Sequence, residues 1–201
     1  MKIIKYLLLF LIMICIFSCE EESGFKPPVK EAEVLTEEGW IKFEYGTYNS
    51  YQNALIKFEE AIAKDSSYAE PYCGAGWANA RLSNLSDAVT YFTNCISLSP
   101  SHADAHAGLA SVYNAQKEYQ LSINSVNSTL SIELKWVFAH DQSVSHYDLR
   151  LLTAGGYFAM GNLGECLSQV QILNPVFVVD VFTFEGRTAL AKEIKRLGGI
   201  I

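Results

Sequence analysis

The 201-residue chain has little of three things, and each lack narrows what it can be. Cysteine is scarce. Of five cysteines, Cys15 and Cys19 fall in an N-terminal leader. The other three, Cys73, Cys95 and Cys166, are an odd number, which argues against a full disulfide framework while leaving room for one bridge. Positive charge is scarce too. The 15 basic residues become 13 once the leader with Lys2 and Lys5 is removed, against 22 acidic ones, for a formal charge of −9. Such a balance argues against a nucleic-acid partner. Long apolar runs are missing: residues 6–17 are too short to span a bilayer comfortably as a permanent helix. Neither a nucleophile-elbow motif nor a phosphate-binding glycine loop is found, since Gly155 and Gly156 lie inside a helical pattern.

What is present is a period. Residues 69–100 read as two amphipathic helices joined by a short turn. Tyr72, Ala75, Gly76 and Ala80 stand at helical spacing in the first. Leu85, Ala88, Phe92, Cys95 and Ile96 form one stripe in the second, and Pro100 closes it. Small residues sit where helices must approach closely, and a single pair cannot bury both of its faces. The stripe recurs at 34 residues: Ala88 is matched by Ala54 and Ser122, Phe92 by Phe58 and Val126, Cys95 by Ala61 and Thr129, and Leu85 by Tyr51 and Tyr119. A fourth copy follows at 44 residues, with Leu163, Cys166, Val170 and Leu173. Its ten extra residues lie around Trp136 to Ser145 and are expected to form a polar linker.

With this period and this small-and-aromatic pattern, the chain resembles the tetratricopeptide-repeat family over residues 34–175. Lys42 and Asn79 depart from the usual aromatic shown by Tyr113 and Tyr157. The resemblance implies an all-α superhelical solenoid of about four helix-turn-helix repeats, at residues 34–67, 68–101, 102–135 and 146–175. Residues 176–182 would form an extended connection. A helix with Leu190, Ile194 and Leu197 on one side would then cap the last repeat.

In this family the first helix of each pair lines a concave groove. Carried over position by position, the groove-facing candidates are Trp40, Phe43 and Glu44, then Glu70, Cys73, Trp77 and Arg81. Asp104, Ser111 and Asn114 follow, and Asp148, Leu151 and Phe158 complete the set. Trp40 and Trp77 stand where many relatives carry an asparagine that bonds a bound peptide. Two readings of this pair are open: anchors for a partner, or packing beneath the N-terminal segment or between repeats. Arg81 alone does not make the basic clamp by which chaperone-binding relatives hold a carboxylate.

Residues 1–18 have a positive start and a short apolar run, and Ile16-Phe17-Ser18-Cys19 resembles the cleavage box of a bacterial lipoprotein. The resemblance implies that Cys19 becomes the lipidated N-terminus, with enough acyl chains for stable anchoring. Residues 19–33, opening on Glu20, Glu21 and Glu22 and containing Pro27 and Pro28, would be a tether. By the same analogy the outer membrane is favoured, facing the periplasm or the cell surface.

Reactive residue types do not assemble into a motif. His102 and His106 are four apart, a spacing that can set two imidazoles on one helix face, but no third ligand accompanies them. His140, Asp141, Ser143 and Ser145 include the types of a hydrolase triad, which is defined by geometry and not by composition. Cys95 and Cys166 fall at small core positions and are expected to be buried thiols. The expectation is a non-enzymatic scaffold without cofactor or catalytic residues. It would hold a protein or peptide partner in its groove, and fold-level analogy suggests envelope assembly, such as outer-membrane protein insertion or pilus biogenesis, as its role. The alternative is a ligand-capture lipoprotein in which Trp40 and Trp77 stack on a glycan.

Overall fold

The computed structural model describes residues 30–199. The leader, Cys19 and the tether up to residue 29 lie outside the described residues. These form nine helices: α1 Glu31–Glu44, α2 Tyr48–Lys64, α3 Glu70–Arg81, α4 Leu85–Leu98, α5 Ala103–Ala115, α6 Tyr119–Ile132, α7 His146–Ala159, α8 Leu163–Leu173 and α9 Phe184–Arg196. Helix α1 starts at Glu31, inside the segment expected to be tether. None of the described helices is long and apolar enough to cross a membrane.

Consecutive helices pair as α1 with α2, α3 with α4, α5 with α6 and α7 with α8, and each pair packs on the next. Helices are joined by turns in which one residue takes the left-handed conformation: Gly46, Ser83, Lys117 and Gly161, with φ of 69°, 66°, 64° and 79°. Glycine meets that demand freely, whereas serine and lysine do so at a cost. In the second pair, buried Asn79 explains the missing aromatic: its Nδ2 donates to Ala75 O at 3.0 Å, and its Oδ1 accepts from Asn84 Nδ2 at 3.1 Å.

The repeating core contact is a phenylalanine between two glycines. Phe58 of α2 lies against Gly39 of its own pair and Gly74 of the next, and Phe92 of α4 lies against Gly76 and Gly108 in the same way. A Cβ at Gly39 or Gly76 would come within 2.6 Å of the ring. The glycines therefore set how closely α1, α3 and α5 approach the second helices. Later pairs place Val126 and Val170 at these positions, both buried.

One buried cluster runs from Trp40 to Leu149, and a second joins Ala154, Cys166 and Val170 to Val181, Leu190 and Ile194. The second is the capping contact: α9 lays Leu190 and Ile194 on the last pair. Glu193 of α9 accepts from Asn174 Nδ2 at 2.7 Å and from Arg196 Nε at 2.7 Å, fixing the cap to the end of α8.

Candidate functional site

Among the described residues, successive first helices touch one another, α1 with α3, α3 with α5 and α5 with α7, while no contact joins successive second helices. The stack therefore curves with its first helices on the inner side, and that side is the concave groove.

The groove of the first three repeats is filled by the chain itself. Residues 133–145, of which Trp136 to Ser145 are expected to be a polar linker, turn back as a short hairpin closed by an antiparallel bridge between Val137 and Ser145. Phe138 N donates to Val144 O at 2.9 Å and His146 N to Trp136 O at 2.7 Å. Along the outgoing arm side chains alternate, as extended backbone requires: Trp136 and Phe138 are buried while Val137 and Ala139 face out. Each inward residue meets a different repeat. Trp136 Nε1 donates to Asp104 Oδ1 of α5 at 2.5 Å. Phe138 stacks on Trp77 of α3, ring centres 4.3 Å apart. His140 stacks on Trp40 of α1 at 3.7 Å and an interplanar angle of 4°. The hairpin thus runs down the groove against the order of the repeats.

Two charged groove positions, equivalent in the first and second repeats, hold its tip. Glu44 Oε1 bonds His140 Nδ1 at 3.0 Å, and Arg81 Nη2 donates to Asp141 Oδ2 at 2.6 Å. Asp141 also accepts from Ser143 Oγ, and Ser145 caps α7 together with Asp148. The residue types of a triad are thereby committed to holding a loop, with His140 and Ser143 facing different carboxylates. Trp40 and Trp77 retain 5% and 3% of their exposure; the polar linker is an aromatic plug.

A polar network runs beneath the plug. Trp40 Nε1 donates to Glu70 Oε1 at 3.0 Å, and Glu70 Oε2 bonds His102 Nε2 at 2.9 Å. The ligand atoms of His102, Cys73 and Cys95 lie within 4.8 Å of one another. Burial opposes charge on His102, but its bonds to Cys95 and Glu70 win and push the imidazole up to about 10. The bond from Cys73 is the main influence on Cys95; with help from His102 it outweighs burial and brings that thiol down to about 6. Burial drives Cys73 the other way, well above the ordinary thiol range. Glu70 is held below the usual carboxylate range because bonds from His102 and Trp40 outweigh its desolvation, whereas desolvation raises Asp104 despite its bond from Trp136. His106 turns away from His102 and bonds Pro100 O at 3.0 Å, so the two imidazoles do not converge.

The remaining candidates separate from this centre. Asn114, Asp148 and Leu151 line a cleft of about 130 Å³ closed by Gly198 and Gly199. Asp148 is occupied by capping, accepting from Ser145 N at 2.8 Å. Ser111 lines a cavity of about 200 Å³ with Trp77, Arg81 and Val144, at the edge of the hairpin. Phe158 packs against the second core cluster. Reading residue types alone misses Trp136 and Phe138 and gives Asp141 no part in the groove; the signal available is the two-residue alternation Trp136, Phe138, His140 inside an insertion between repeats.

Helix pairs stacked with first helices inward and capped by a ninth helix define a tetratricopeptide-repeat solenoid fold. No protein-family model matches the sequence, and neither does any curated protein. Among solved structures, the chain is similar to MamA residues 41–end from Desulfovibrio magneticus RS-1, at a TM-score of 0.62 and 18% identity, covering 83% of this chain and 93% of that one. It is also similar to YrrB, described as a tetratricopeptide-repeat protein with an unusual peptide-binding site (TM-score 0.61, 16% identity, 84% and 83% covered). PilW, described as a widely conserved type IV pilus biogenesis factor, is a third (TM-score 0.57, 21% identity, 80% and 68% covered).

Proposed function

We propose that this chain is a non-enzymatic scaffold whose concave groove binds a short extended protein segment with aromatic side chains at alternate positions. Its own hairpin is the resident occupant. The observation behind this reading is the seating of Trp136, Phe138 and His140 on three successive repeats. A partner strand with the same alternation would meet the same surfaces once the hairpin leaves, and Glu44 and Arg81 would take a cation and an anion at its end. YrrB, with its peptide-binding site, supports this by analogy of fold. The occupant of the Trp40 and Trp77 faces is itself a peptide segment, stacked through His140 and Phe138, so a peptide is preferred to a glycan as the ligand.

The lipoprotein-like box at Cys19 and the acidic residues after it support a lipid-anchored seat in the bacterial envelope, with the outer membrane favoured. A role in assembling an envelope machine follows by analogy with PilW, the pilus biogenesis factor. Cys19→Ser should release the protein from the membrane fraction and remove the lipid mass from its N-terminal peptide; a membrane-bound C19S protein would overturn the anchor.

The test of the groove uses the full chain and a synthetic peptide of residues 134–145. In Phe138→Ala/His140→Ala protein, the peptide should bind saturably, quench or shift tryptophan emission, and compete with partners captured from native membranes. The same protein carrying Trp40→Ala/Trp77→Ala, with unchanged helical circular dichroism, should bind neither. If the unseated variant ignores the peptide and captures the same partners as wild type, the groove is sealed and the reading fails.

A further inference from the structure

We infer that Cys73, Cys95 and His102 form a binding site for a thiophilic divalent cation of the zinc type, set beneath the groove floor. The three residues come from three elements: α3, α4 and the turn that enters α5. Their ligand atoms all lie within 4.8 Å of one another. Bond lengths of about 2.3 Å to sulfur and about 2.0 Å to nitrogen imply ligand separations of roughly 3.5–3.8 Å in a tetrahedral site. Closing the trio on an ion therefore needs the ligand atoms to draw together by about 1.3 Å at most.

The surroundings match what such a site requires. Both sulfurs are fully buried, and the His102 side chain keeps 15% of its exposure. His102 engages Glu70 through Nε2, which leaves Nδ1 as the ring atom for a metal. Glu70 is fixed in turn by the Trp40 indole. A carboxylate that bonds the distal nitrogen of a ligating histidine orients the ring and strengthens it as a donor. Two thiolates and a neutral imidazole are soft to borderline donors, which excludes magnesium and calcium and suits zinc. Two thiolate charges balance the divalent cation, and binding displaces the protons held by the ligand atoms, the imidazole included. A water would complete four-coordination.

Packing does not by itself demand these residues. At the positions equivalent to Cys73 and Cys95, the third repeat carries Ala107 and Thr129, both buried without a thiol. Cys166 is buried in the last pair and belongs to no such cluster among the described residues. The trio is confined to the junction of the second and third repeats, where a bound ion would tie α3 and α4 to the entry of α5. This inference does not depend on what occupies the groove.

The test is metal titration of the reduced full chain. Wild-type protein, stripped of metal and dialysed against zinc, should hold one equivalent. Cobalt should give sulfur-to-metal charge-transfer absorption with the intensity of two thiolates and tetrahedral d–d bands. Cys73→Ser and Cys95→Ser should lose the two-thiolate spectrum, while Cys166→Ser should keep it. Glu70→Gln should weaken affinity about tenfold. No thiolate-to-cobalt absorption in the wild type overturns the site, and so does absorption that survives Cys73→Ser or a Cys73–Cys95 disulfide in protein isolated from native membranes. The wild-type titration decides the matter even if a cysteine variant fails to fold.

Discussion

The first two helix pairs and the last two solve the same packing problem differently. In α1 to α4 the interior is built from Phe58 and Phe92, each pressed between glycines. In α5 to α8 the equivalent positions hold Val126 and Val170, and Gly156 sees its neighbours at ordinary distances, with Ile123 and Tyr119 at 3.5 Å from an added Cβ. The groove differs in the same sense. Over α1 to α5 it is lined by tryptophans and covered by the hairpin; at the fourth pair it is a small cleft with an exposed Asp148. A large ring in a glycine cradle fixes interhelical spacing, because neither side has freedom to adjust. The aromatic half is thus a rigid seat for a specific occupant, and the aliphatic half is the more tolerant joint.

Cavity formation should separate the halves most strongly. Phe92→Ala is expected to cost about 3–5 kcal/mol and Val126→Ala about 2 kcal/mol, read as midpoint shifts in denaturant. Equal costs would break the comparison. Adding a methyl group should give opposite signs. Gly76→Ala, whose Cβ would overlap the Phe92 ring, should destabilise by about 1–3 kcal/mol. Gly156→Ala has room and gains helix propensity, so it should stabilise by roughly 0.5–1 kcal/mol.

The turns supply a smaller contrast. Ser83→Gly and Lys117→Gly relieve a left-handed residue and should stabilise the fold by up to about 1 kcal/mol each, which raises the melting temperature. Gly161→Ala, at φ 79°, should lower it.

The smallest effect concerns the cap and is one of pH. Bonds from Arg196, then Asn174, bring Glu193 down to about 2. Its carboxylate is depressed on folding, so its contribution is present above the ordinary value of 4.5 and is lost as pH falls through the window toward 2. Protection against hydrogen exchange in α9 should fall across that window. Glu193→Gln should flatten the dependence; an unchanged profile in that variant would assign the acid response elsewhere.

Much of the scaffold is legible in the sequence because it rests on local spacing. Ala54, Ala88 and Ser122 mark one helix face whatever lies against it, and a 34-residue recurrence requires stacked pairs. The small residues at Gly76 and Cys95 are readable as close approaches for the same reason. The plug is far less legible. Trp136, Phe138 and His140 alternate over just five residues, among polar neighbours that resemble any linker. The trio under the groove is hidden in another way, since Cys73, Cys95 and His102 follow no recognised ligand spacing.

By itself, then, the sequence determines which residues share a face and that successive pairs must stack, since both follow from helical geometry within a few turns of chain. What covers the inner face was decided by the tertiary structure alone. His140 reaches Glu44 across 96 residues of chain. That contact exists because the curvature of the stack brings three repeats within reach of one short hairpin, and no local pattern encodes curvature.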